Sequence, residues 1–265
     1  MSIKAKYGKC ALIAGGSEGI GAAFAHYLAK GGLDLILVAR GLPKLEQVAN
    51  EIRKTYQVEV ICIACDLSAI GATTQIQQAL KGKEIDVLVY NAALSFIGHF
   101  EENTLEHHNQ IAQANMVTPM NMVQFFGAKM LQKGKGAVVI MASLAGFQGS
   151  GFLAAYAASK AFNRVLAESL WYEWKDKGVD VMACCAGATS TPNFINTKPE
   201  KTSFFAPKVQ TPEAVVNECF KKLGKTPSII TGTGNKVASF FMQRLMPRKL
   251  AIKIMGDTTR QMYRL

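Results

Sequence analysis

Nowhere in the 265-residue sequence does an apolar run reach the roughly 18 residues that cross a bilayer as a helix. That excludes a transmembrane helix. The opening MSIKAKYGKC has no hydrophobic stretch followed by a cleavage site, so no secretory signal is expected. The default location is then cytoplasmic, with peripheral contact at a membrane surface as an option. No linker, internal repeat or low-complexity tract breaks the chain, and residues 1–265 read as a single domain. Histidine is scarce, and His99, His107 and His108 follow no metal-ligand spacing, so no metal is expected. Cys62 and Cys65 do form a CxxC, but inside the apolar run VEVICIACDLS. Residues three apart on a strand point to opposite faces, so the pair cannot pinch an ion. All six cysteines are expected to be reduced, as small buried hydrophobes. Acidic residues are also in short supply, 19 against 30 basic, which leaves a formal charge of +11. Nucleic acid, an anionic membrane or an anionic cofactor or substrate would each suit that charge. Clusters such as Lys129, Lys133 and Lys135, or Lys221, Lys222 and Lys225, lie along helix-like segments and read as a solvated surface. No nucleic-acid partner is expected.

Apolar residues make up 49% of the chain and charged residues 18%, enough for a sizeable core. Strand-like and helix-like segments alternate. Strands are expected at 9–14, 34–39, 58–64, 86–90, 137–142, 179–185 and 228–230. Helices are expected at 19–30, 42–56, 71–80, 104–131, 154–177 and 212–223, the fourth bending at Pro119. Near-continuous apolar strands between amphipathic helices predict an α/β fold. It is a Rossmann-like, doubly wound parallel sheet with helices on both faces.

Between the first strand and first helix stands Ala14-Gly15-Gly16-Ser17-Glu18-Gly19-Ile20-Gly21. Glycines there allow a tight turn and close backbone approach to a pyrophosphate, and the helix N-terminus offers free N–H groups to that anion. The end of the second strand selects the cofactor. An acid there would bind a ribose hydroxyl, whereas a base accepts a 2′-phosphate. Arg40 holds that place with Lys44 nearby as a second cation, and no carboxylate lies in the turn. NADP(H) is the expected cofactor. Asp66 and Leu67 end the third strand, and Asn91 and Ala92 the fourth, at the carboxyl edge where such sheets bind ligands.

Tyr156 and Lys160 form a YxxxK on a helix, so phenol and ammonium share one face. A neighbouring cation is expected to lower the tyrosine pKa. Ser143 lies upstream, just past the fifth strand, and Asn115 within the long fourth helix.

Taken together, these motifs resemble the short-chain dehydrogenase/reductase family. The glycine turn is similar to its TGxxxGxG with Ala14 for Thr, and Asn91-Ala92-Ala93 to its NNAG with Tyr90 and Ala93 as departures. After the sixth strand, Ala186 to Thr191 resembles PGxxxT with Ala186 for Pro. The resemblance implies an NADP-dependent oxidoreductase with Asn115, Ser143, Tyr156 and Lys160 as its catalytic tetrad. Tyr156 would be the acid/base and Ser143 would hold the carbonyl oxygen. Lys160 would bind the nicotinamide ribose, and Asn115 would anchor a water. It also implies cofactor contacts from Gly15, Ser17, Glu18, Gly19, Ile20, Gly21, Arg40, Lys44, Asp66, Leu67, Asn91, Ala92, Tyr156, Lys160, Thr189 and Thr191. Within the family, KLEQVANEIRKTY, EWKDKGVDV and the long tail look most like the branch of 3-oxoacyl-thioester reductases and 17β-hydroxysteroid dehydrogenase type 12. Homodimers or homotetramers are common among such proteins.

Residues 144–152, the connection 190–211 as a substrate lid, and the C-terminal extension 236–265 are expected to wall the substrate pocket. They bring Phe147, Phe152, Phe194, Phe204 and Phe205, which suit an apolar carbonyl such as a 3-oxoacyl thioester, a steroid or another hydrophobic ketone. The stretch 236–255 mixes apolar and basic residues, with Pro247 dividing it, and suits a pocket lid, a subunit contact or a peripheral membrane contact. The alternative to an enzyme is a non-catalytic NADPH-binding sensor or scaffold. The intact YxxxK argues against it.

Overall fold

A computed structural model of the protein describes residues 2–200 and 208–265. Seven strands form one parallel sheet: β1 (Cys10–Ala14), β2 (Asp34–Ala39), β3 (Val60–Ala64), β4 (Val87–Tyr90), β5 (Gly136–Ser143), β6 (Val179–Ala186) and β7 (Ser228–Ile230). Their order across the sheet is β3-β2-β1-β4-β5-β6-β7. Register runs from Ala14 beside Val38 and Tyr90 to Ser143 beside Ala186, so the carboxyl ends of β1, β4 and β5 lie along one edge. The reversal of order beside β1 opens a crevice there, the usual ligand site of such sheets. All five residues of β1 are buried, as a strand covered on both faces requires.

Eleven α-helices accompany the sheet among the described residues: α1 (Ile3–Tyr7), α2 (Gly19–Lys30), α3 (Leu42–Tyr56), α4 (Ala72–Leu80), α5 (Leu105–Ala112), α6 (Thr118–Lys133), α7 (Ala154–Trp174), α8 (Pro192–Asn196), α9 (Pro212–Lys222), α10 (Thr233–Arg244) and α11 (Arg248–Tyr263). Two apolar cores result, one on each face of the sheet. Phe24 and Leu28 of α2, Leu45 and Ile52 of α3 and Val215 of α9 fill one. Ile76 of α4, Phe126 of α6 and Trp174 of α7 fill the other. Cys62 packs at the edge of the first core and Cys65 in the second, so they lie on opposite faces. All six cysteines are free.

The long fourth helix differs from expectation. It is three pieces, with a π-helical turn at Gln113–Val117 between α5 and α6. The π-helical turn falls before Pro119, which sits in the first turn of α6. Pro247 does separate α10 from α11. No described helix is long and apolar enough to cross a membrane.

Candidate active site

Gly15 opens the turn after β1 with φ +83°, and a Cβ there would stand 2.7 Å from the Ala92 nitrogen. A Cβ on Gly21 would collide with the Gly15 carbonyl, so the first turn of α2 can close on the loop only as glycine. Asn91 fixes the arrangement by donating from Nδ2 to the Gly15 carbonyl, 3.0 Å. No side chain caps the N-terminus of α2. Glycine turn and uncapped helix end together leave a backbone cradle that fits a pyrophosphate.

Arg40 lies exposed just past β2. Lys44 has a carboxylate partner. Its Nζ pairs with Glu18 at 2.7 Å and ties α3 to the glycine turn. Asp66 accepts from the Ser68 N–H and hydroxyl at 2.9 and 2.7 Å. Burial works against its charge, but those bonds and the nearby Arg40 outweigh it and hold the carboxyl below its ordinary range. Leu67 is buried, and its carbonyl accepts from Thr118 at 2.8 Å.

Asn115 sits fully buried in the π-helical turn. Its Oδ1 accepts from the Leu94 N–H at 2.8 Å, and its Nδ2 donates to the Leu94 carbonyl at 2.8 Å and to Ser159 Oγ at 3.0 Å. The side chain thus clamps the turn after β4 to α7. Tyr90, a departure from the family motif, supports the same turn: its buried hydroxyl donates to the Ala114 carbonyl.

Ser143 ends β5 and caps the short 3₁₀ turn Leu144–Phe147, accepting from the Ala145 N–H at 3.2 Å. Tyr156 lies in the first turn of α7 and receives a hydrogen bond from Ser143. Lys160 is 3% exposed, donates to the Met141 carbonyl at 2.9 Å and lies 5.6 Å from the Tyr156 ring centroid. Burial lowers its pKa to about 8. The expectation that this cation lowers the Tyr156 pKa is overturned. Burial dominates and pushes the phenol up, against the Ser143 hydrogen bond, and the nearby Tyr263 adds to the rise. The ammonium is spent on the Met141 carbonyl and is itself desolvated, so its pull on the phenol is weak.

Thr189 is buried and donates to the Gly187 carbonyl at 3.0 Å. Thr191 caps α8 and comes within 2.8 Å of where a Gly19 Cβ would stand. The segment after β6 therefore presses on the glycine turn. Phe147 packs at the edge of the second core and beneath Arg164. Phe194 lies in α8, whereas Phe204 and Phe205 fall outside the described residues.

The C-terminal helix, expected as part of the pocket wall, brings contacts whose partners the sequence did not name. One stripe of α11 runs along the substrate end: Ile252 faces Gly149, Gly256 faces Gly151, Arg260 lies over Phe152, and Tyr263 comes near Tyr156. Tyr263 also meets Thr197 of the post-β6 segment at 3.4 Å, and Glu200 pairs with Arg264. The spacing 252, 256, 260, 263 is a helix face and was the available signal. What it faces could not be read from it.

A doubly wound sheet, a phosphate cradle at its switch point and a Ser–Tyr–Lys cluster on the adjoining strand end define a dinucleotide-dependent oxidoreductase. The family model for short chain dehydrogenase matches residues 9–202, and the chain belongs to that family. Among similar proteins, the 7beta-hydroxysteroid dehydrogenase of Collinsella aerofaciens is 34% identical over 238 residues, 89% of this chain and 90% of that one. The very-long-chain 3-oxoacyl-CoA reductase of Mus musculus is 30% identical over 259 residues, 94% of this chain and 79% of that one. A solved 7beta-hydroxysteroid dehydrogenase structure superposes with a TM-score of 0.91 at 32% identity, covering 96% of this chain and 99% of that one.

Proposed function

We propose that the protein is an NADPH-dependent carbonyl reductase acting on an apolar ketone, with a steroid nucleus or a 3-oxoacyl thioester as the substrate class. The observation that carries this reading is the meeting of Ser143, Tyr156 and Lys160 at the end of β5, under α11. The named activities of the two relatives support the substrate classes. Bound NADPH supplies the hydride. Gly15, Ser17, Glu18, Gly19, Ile20 and Gly21 hold its pyrophosphate, and Arg40 its 2′-phosphate. Asp66 and Leu67 flank the adenine, while Asn91, Ala92, Thr189 and Thr191 line the remainder. Lys44 supports the turn through Glu18. Tyr156 delivers its hydroxyl proton to the carbonyl oxygen, and a phenol held protonated suits that direction of reaction. Ser143 holds the same oxygen, Lys160 binds ribose hydroxyls, and Asn115 keeps the turn in place for proton relay. Loss of NADPH absorbance against a panel of oxosteroids and 3-oxoacyl thioesters tests the reading. A chain that binds NADPH and turns over none of them would be a sensor or scaffold instead.

Preference for NADPH over NADH rests on Arg40, for which no ion pair is found among the described residues. Arg40→Asp is expected to weaken NADPH binding about ten- to a hundredfold, the worth of one charge-assisted contact. Equal affinity of the unmutated protein for both cofactors, measured by fluorescence titration, would contradict the assignment.

A cytoplasmic location and a homodimer or homotetramer belong to the same proposal. So does reversible membrane contact through 236–255. Phe240 and Phe241 of α10 and Leu245 just after it are 57%, 53% and 64% exposed, and Arg244, Arg248 and Lys249 are near them in sequence. Each basic residue near an anionic leaflet contributes about 1 kcal/mol, so binding is expected to be salt-sensitive. Flotation with anionic liposomes at low and high salt measures it. No binding at low salt would leave the face to a second subunit.

A further inference from the structure

We propose that Arg260, with Phe152 beneath it, selects carbonyl substrates that carry a negative charge at the end remote from the reacting ketone. The inference rests on the carbonyl-reductase reading above and adds a specificity residue to it.

Phe152 is held in an unusual way. Its φ is +64°, a left-handed conformation that a bulky side chain rarely adopts. Its carbonyl accepts from the Gly98 N–H at 3.0 Å, and the His99 ring meets its ring edge-on at 5.1 Å. A strained aromatic residue fixed from two sides is an outlier that points to a task. Phe152 lies four residues before Tyr156, just ahead of α7, on the stretch expected to wall the substrate pocket. An apolar substrate whose carbonyl reaches Ser143 and Tyr156 has this ring within reach of its body.

Arg260 stands at the outer end of that platform, its guanidinium 5.3 Å from the Phe152 ring centroid. The contacts of Ile252 with Gly149, Gly256 with Gly151 and Tyr263 with Thr197 fix α11 above and below it. Two nearby cations are neutralised by carboxylates. Lys253 pairs with Asp257 within α11, and Arg264 pairs with Glu200. Among the described residues no carboxylate pairs with Arg260, which is exposed. A guanidinium stacked on an aromatic face keeps its edge donors free, and their fork matches a carboxylate or phosphate. The position therefore offers an apolar bed ending in an unneutralised anion receptor. It fits an amphipathic acid better than a neutral lipid.

The test uses the NADPH-loaded protein with a 7-oxosteroid bearing a side-chain carboxylate and with its methyl ester. Turnover and calorimetric affinity are both read. The acid is expected to be preferred about tenfold or more, the worth of a charge-assisted contact. Arg260→Gln should erase that preference by raising KM for the acid, with kcat and the ester's constants unchanged, and Arg260→Lys should restore part of it. Arg264→Gln removes the same charge at a paired position just past the same helix and should leave the preference intact. If neither ketone is reduced but the acid still binds more tightly through Arg260, the reductase reading fails and this one stands. Equal handling of acid and ester, equal loss of both in Arg260→Gln, or no binding of either overturns the inference.

Discussion

Tyr156→Phe is expected to lower kcat for ketone reduction by at least about 10²-fold while leaving NADPH affinity unchanged. The substitution removes one hydroxyl and almost no volume, so α7 and its contact with the sheet persist. What is lost is the transferable proton and the hydrogen bond from Ser143. The pH profile carries a second, independent expectation. Burial raises the Tyr156 pKa, so at neutral pH the phenol is protonated and ready to act as an acid. Reduction should therefore hold steady through neutral pH and decline on the alkaline side, as the proton is lost. Oxidation of the corresponding alcohol needs the phenolate and should climb over the same range. Stopped-flow hydride transfer in both directions measures this. Activity near that of the unmutated protein in Tyr156→Phe would remove the residue from the mechanism.

The parts of this site that were legible in the sequence are those written in local patterns. The glycine turn lies between β1 and α2 within eight consecutive residues, and Tyr156 and Lys160 are one helical turn apart. Strand ends carrying Arg40, Asp66, Asn91 and Ser143 follow from the apolar runs that precede them. The illegible parts depend on contacts between distant segments. Tyr263 approaches Tyr156, and Arg260 approaches Phe152, across more than a hundred positions of sequence. No periodicity within α11 announces its partner. The pairing of Lys44 with Glu18, 26 positions away, is another contact of this kind. The direction of the Tyr156 shift was misjudged because burial is a property of the assembled fold. A nearby lysine can be counted in the sequence, whereas the desolvation that opposes it cannot.

Lys160→Met is expected to move activity and stability in opposite directions. The ammonium is 3% exposed, and burial holds its pKa at about 8, against an unfolded value of about 10.4. Between those values the unfolded chain binds more protons than the folded one, so stability rises with pH through that window. At neutral pH the protein carries the full cost of the buried charge, on the order of 3 kcal/mol for a shift of this size. The single bond to the Met141 carbonyl offsets it only in part. Methionine fills a similar volume with no charge to desolvate. Chemical denaturation without cofactor at pH 7 should then show the variant more stable by about 1–3 kcal/mol. The gain should shrink as pH rises through about 8 and vanish above the unfolded pKa, where the native lysine is neutral in both states. Ketone reduction should fall by at least about 10²-fold, since the group that orients the ribose and faces Tyr156 is gone. A variant less stable than the parent at pH 7, with the same pH slope, would mean that Lys160 stabilises the fold rather than straining it.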